Sequence, residues 1–74
     1  MGISFNYAYL RGFIKEHFTN NHNFAQFLGI SDTALYDRLS NRVPFSQYEI
    51  DLVATKAIDR KLTMSEIDSL FFNH

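Results

Sequence analysis

Seven residues in one stretch have the types and spacing to recognise a charged partner: Asn21, Ser31, Asp32, Thr33, Tyr36, Asp37 and Arg42. Amides, hydroxyls and carboxylates at such spacing read hydrogen-bonding edges. An arginine beside them meets phosphate or carboxylate, and a tyrosine supplies a large amphipathic anchor. Catalysis is a poor fit. The histidines His17, His22 and His74 have no metal-ligand spacing with acids on a shared face. The three glycines are isolated, so no phosphate-cradling loop is expected. Glu66 and Asp68 lie near an expected helix start, where capping accounts for them. There is no cysteine, so neither a disulfide nor a thiolate metal site is available. The expectation is a binding protein, not an enzyme, with no cofactor and no small-molecule substrate.

Helices must position these residues. Asn6 is expected to cap a first helix with Tyr7, Leu10, Ile14 and Phe18 on its buried face and Phe13 beside them. Thr19-Asn20-Asn21 ends it and caps a second, short helix carrying Phe24, Ala25, Phe27 and Leu28. Gly29 supplies the left-handed residue that stops this helix. Ser31 caps a third helix with Leu35 and Leu39 facing inward, and Ile30 is placed to staple onto Leu35. Residues 41–44 form a loop. Ser46 with Glu49, and Thr63 with Glu66, match the capping-box spacing and start a fourth and a fifth helix. Phe45–Ile50 and Leu62–Ile67 are the corresponding staples. Ile50, Val53, Ala54 and Ala57 are the expected inner face of the fourth helix, and Leu70 and Phe71 complete that of the fifth.

The order of small residue, glycine and aliphatic at Ala25, Gly29 and Leu35 is that of a helix-turn-helix, with the two helices crossing closely at the alanine and turning at the glycine. Arg38 stands at a position often apolar in this motif; Leu39 is expected to take over the packing while the arginine stem snorkels. The fold class is therefore all-α, a compact bundle of about five short helices containing a helix-turn-helix, in one domain spanning residues 1–74.

Bulk composition bounds the partner. The chain has 74 residues, 46% of them hydrophobic, including eight Phe and four Tyr, so some aromatics are expected at the surface. No N-terminal apolar stretch reads as a signal peptide, and no apolar run is long enough to span a bilayer. Net charge is -1. Strong DNA binders carry many cations because phosphate neutralisation supplies much of their affinity. Here Arg11, Lys15, Arg38 and Arg42 in the first 42 residues are nearly offset by Glu16, Asp32 and Asp37, and the remainder is acidic.

Three segments carry a family resemblance: Tyr9-Leu10-Arg11-Gly12-Phe13-Ile14, Phe24-Ala25-Gln26-Phe27-Leu28-Gly29-Ile30-Ser31 and Val43-Pro44-Phe45-Ser46-Gln47-Tyr48-Glu49-Ile50. With the closing Met64-Ser65-Glu66-Ile67-Asp68-Ser69-Leu70-Phe71-Phe72, the chain resembles the small Cro-like helix-turn-helix proteins of temperate phages of Gram-positive bacteria. The resemblance implies a lambda-repressor/Cro-like fold, a cytoplasmic role in the bacterial host and a place at the lysis–lysogeny switch. One type in that family, the modulator of repression or antirepressor, binds the phage repressor itself.

Two partners follow. A Cro-type reader would insert the third helix into the major groove, with Ser31, Asp32, Thr33, Tyr36 and Asp37 outward and Asn21 and Arg42 near phosphates. Lys15, Arg11 and Arg38 would be the further cations. One carboxylate suits readout of cytosine N4, but two on one short helix oppose phosphate. An antirepressor would turn the same acids and Tyr36 toward the basic helix-turn-helix domain of the repressor. Operator DNA, alone or with the repressor, remains the alternative partner.

Overall fold

The computed structural model describes residues 4–74. Helix α1 runs Ala8–Phe18. Its apolar residues recur at three and four, which puts Tyr7, Leu10 and Ile14 in the core and leaves Arg11, Lys15 and Glu16 in water. Tyr7, not Asn6, is the capping position. Asn6 nevertheless satisfies one amide of the first turn from one residue earlier, its Oδ1 accepting Ala8 N–H at 2.9 Å. Thr19 then takes φ 75, and Asn20 N–H donates to the Phe18 carbonyl at 2.9 Å. This tight γ-turn stops α1 and lets the next helix begin at once.

Helix α2, Asn21–Leu28, is capped by Asn20, whose side chain accepts Asn23 N–H at 2.9 Å. It ends on Gly29 at φ 76. Ile30 N–H returns to the Ala25 carbonyl at 3.0 Å and Gly29 N–H to Gln26 at 3.1 Å, the paired bonds of a Schellman cap. A Cβ at Gly29 would meet nothing within 4 Å, so conformation, not space, requires glycine there. Ser31 immediately caps α3, Asp32–Leu39, by accepting Ala34 N–H at 3.0 Å. Fully buried Ala25 and Leu35 lie on either side of this turn, and α2 packs on α3, the helix-turn-helix expected.

Helices α4 (Gln47–Lys56) and α5 (Met64–Phe71) both open with complete capping boxes, at Ser46/Glu49 and Thr63/Glu66. Leu62 N–H donates to the Ala54 carbonyl at 2.8 Å, folding the connection between them back onto α4. On the expected inner face of α4, Val53 is buried and Ile50 and Ala57 pack half-buried against the core, with Ala54 also half-buried; the unexpected member is Glu49, 5% exposed. The core joins Phe24, Phe71, Leu10, Ile14, Leu35, Leu70 and Val53 from all five helices. Phe45 links Tyr7 and Phe71 through edge-on ring contacts, with centroids 5.5 and 5.1 Å away. No helix among the described residues is long and apolar enough to cross a membrane.

Candidate functional site

The outward side of α3 and its flanks gather most of the seven residues. Asn21 is exposed at the first position of α2. Thr33 is exposed on the first turn of α3. Ser31 is also exposed, but its hydroxyl is engaged as the cap of α3, so its first duty is to hold the helix. Asp32 lies at the positive end of the α3 dipole. It also meets His22, whose Nδ1 is 2.9 and 3.0 Å from the two carboxylate oxygens, a tie between the first turns of α2 and α3. His22 is thus the partner of a site acid.

The second half of the site is a cluster of three. Tyr36 is 60% exposed. The Arg42 guanidinium carbon lies 5.9 Å from its ring centroid, at the edge of cation–π range. Arg42 Nη1 is also 3.9 Å from Asp37 Oδ1. Backbone geometry sets this up, because the N–H groups of Arg42 and Val43 both donate to the Asp37 carbonyl, at 2.8 and 3.2 Å. Asn41 takes φ 65 just before it. The Asn41 amide is itself pinned to the other end of the chain, accepting Phe5 N–H at 2.9 Å and donating to the Phe5 carbonyl at 3.0 Å.

Arg38 corrects the expectation that it could reach phosphate. Its Nε donates to Glu49 Oε1 at 2.9 Å and its Nη1 to the Ala34 carbonyl at 2.9 Å. Both side chains are largely buried, at 16% and 6% exposure, so the pair locks α3 to the start of α4. Burial pushes the Glu49 carboxyl up, but the hydrogen bond from Arg38, the Ser46 backbone N–H, the arginine charge and the Ser46 hydroxyl outweigh it and hold the group below its ordinary value. Glu66 repeats the device in the open. Arg60 grips it with two bonds of 2.7 Å while Oε1 also accepts Thr63 N–H at 2.9 Å. The Arg60 hydrogen bond leads the causes that hold the Glu66 carboxyl down at about 2.

The cationic charge of the chain is therefore more spent than the composition suggests. Arg38 and Arg60 are engaged by capping-box glutamates, and Arg42 sits beside Asp37. Among the described residues no group of three or more His, Cys, Asp or Glu is arranged to hold a metal ion. The arrangement offers a rigid helix with an exposed aromatic ring, a hydroxyl and two carboxylates, bounded by an arginine.

The family described as "Protein of unknown function (DUF739)" matches residues 3–74, and the chain belongs to that family. No curated protein matches it.

Proposed function

We propose that this family member is an antirepressor: the outward face of α3 binds the basic helix-turn-helix domain of a phage repressor and keeps it from operator DNA. The observation that carries this reading is Tyr36, 60% exposed between Asp32 and Asp37 on α3. Tyrosine on a rigid helix is a low-entropy anchor, and flanking carboxylates complement a surface evolved to hold phosphates. The cation inventory points the same way, since Arg38 is consumed by Glu49 inside the fold. The resemblance to phage antirepressors adds the identity of the partner, which would be met in the cytoplasm of a bacterial host cell.

The test is Asp32→Lys combined with Asp37→Lys. Neither residue is buried, so the fold should survive, and circular dichroism checks this. The variant should bind the repressor domain at least about tenfold more weakly, a change of ~1.4 kcal/mol, mainly through slower association. Unchanged affinity in a folded double variant would remove α3 from the interface. A gain in DNA affinity by the same variant would identify the aspartates as repelling phosphate. The Cro-type alternative predicts that the unmodified chain binds operator DNA tightly and specifically by itself.

A further inference from the structure

Helices α2 and α3 end on the same device built from different residues. Helix α2 closes on Gly29. Beyond α3 the closing residue is Asn41: Arg42 N–H donates to the Asp37 carbonyl at 2.8 Å and Asn41 N–H to the Arg38 carbonyl at 3.1 Å, the two bonds of a second Schellman motif. Both closing residues are left-handed, at φ 76 and φ 65. Glycine adopts that conformation freely, whereas a residue with a Cβ is strained by it. The helix end alone therefore favours glycine at position 41, and the asparagine must be accounted for by its side chain. That side chain engages both polar groups of the Phe5 backbone, 36 positions away: Oδ1 accepts Phe5 N–H at 2.9 Å and Nδ2 donates to the Phe5 carbonyl at 3.0 Å. Phe5 is itself held. The next residue, Asn6, donates its N–H to the Asn73 carbonyl at 2.6 Å, and the Phe5 ring centroid lies 6.0 Å from that of Phe72 and 4.9 Å from that of His74.

We propose that Asn41 is a positioning residue of the α3 face: it ties the turn that carries Arg42 to the Phe5 backbone and so holds Arg42 against Tyr36 and Asp37. The Arg42 guanidinium carbon lies 5.9 Å from the Tyr36 ring centroid, and its Nη1 is 3.9 Å from Asp37 Oδ1. Contacts of that length do not by themselves fix an arginine side chain that is 69% exposed. Its placement comes from the backbone it springs from, and Asn41 anchors that backbone to a point outside the helix-turn-helix. Anchored, the turn presents Tyr36, Asp37 and Arg42 as one preformed surface. Released, it leaves Arg42 to be ordered when a partner arrives, and that ordering subtracts from affinity. As an effect on binding, this rests on the reading of α3 as the partner-binding face; as an effect on the Tyr36–Asp37–Arg42 cluster, it does not.

Asn41→Gly in the full chain tests this, because glycine keeps the left-handed turn and removes only the side chain. Both lost bonds are solvent-exposed, so circular dichroism should report the helices intact. In nuclear magnetic resonance spectra the unmodified chain should show proton contacts between the Tyr36 ring and the Arg42 side chain, and a protected Phe5 amide. Asn41→Gly should lose both. Thr63→Ala, which removes the cap of α5 and loosens the fold without touching this turn, should keep both. A repressor domain should bind Asn41→Gly about two- to tenfold more weakly, with the loss in faster dissociation. Tyr36–Arg42 contacts that persist in Asn41→Gly, or that Thr63→Ala loses to the same extent, would overturn the proposal. So would unchanged repressor affinity in a variant that has lost them. An unmodified chain that binds no repressor domain would overturn the reading of α3 instead, and the contact comparison would still decide the role of Asn41.

Discussion

Replacing Glu49 with alanine should be the most damaging polar substitution in the chain. The carboxylate caps α4 through the Ser46 N–H at 2.9 Å and anchors Arg38 at 2.9 Å from a site 5% exposed. Losing the cap alone costs ~0.5–2 kcal/mol. Leaving a mostly buried guanidinium without its counter-charge raises the total to ~3–5 kcal/mol. A chain of this length has roughly 4–11 kcal/mol to lose. With a urea m-value of ~1–3 kcal/mol/M, the midpoint should fall by about 1–5 M. Glu66→Ala is the internal control: it has the same box and an arginine clamp, but the pair is much more exposed than Arg38–Glu49, at 58% and 30% for Arg60 and Glu66, so its loss should be clearly smaller. Arg38→Ala added to Glu49→Ala should cost less than the two single losses combined, because the stranded charge is removed. Equal losses at Glu49 and Glu66, or a Glu49→Ala loss under ~1 kcal/mol, would refute the argument that burial sets the value of this pair.

Gly29→Ala should destabilise by ~1–2 kcal/mol, because φ 76 is costly for an L residue with a Cβ, and Gly29→Asn should cost less; equal denaturation midpoints for the two would contradict this. Ser46→Ala and Thr63→Ala should each cost ~0.5–2 kcal/mol in urea melts, since each hydroxyl accepts the third helical N–H of its box. Glu49 and Glu66 are both held below their ordinary carboxyl values, so their stabilisation is complete above the unfolded value of 4.5 and fades as pH falls through the folded one, about 2 for Glu66. Thermal melts from pH 6 to 2 should show this decline, and Glu66→Gln should flatten part of it.

Local signals made the helices legible. A cap, a box or a glycine acts within a few residues, and Asn20, Ser31, Ser46, Thr63 and Gly29 all do what their spacing implies. The exception at Asn6 is one of a single residue, where the side chain reaches one amide of the first turn, that of Ala8, from outside the cap. The partnerships of the site were not legible, because they join residues distant in sequence. Arg38 and Glu49 are eleven positions apart, and His22 and Asp32 ten. A hint of the first existed in an arginine at a usually apolar position, which was expected to snorkel and instead pairs with the box glutamate of α4. The second had no local signal, because it depends on how closely the first turns of α2 and α3 approach. Glu49, held by Arg38, is buried on α4 beside Val53, and Ile50 packs against the core half-buried.

In the proposed function, α3 meets a protein and not DNA. Its most direct test is one purified chain titrated separately with the cognate repressor's DNA-binding domain and with operator duplex, at the same moderate salt. Saturable binding to the repressor domain is expected, with release of operator from that domain as the complex forms and DNA binding by the chain alone no tighter than ~10⁻⁴–10⁻⁶ M. Nanomolar, sequence-specific binding of operator by the chain alone, with no affinity for the repressor domain, would contradict it.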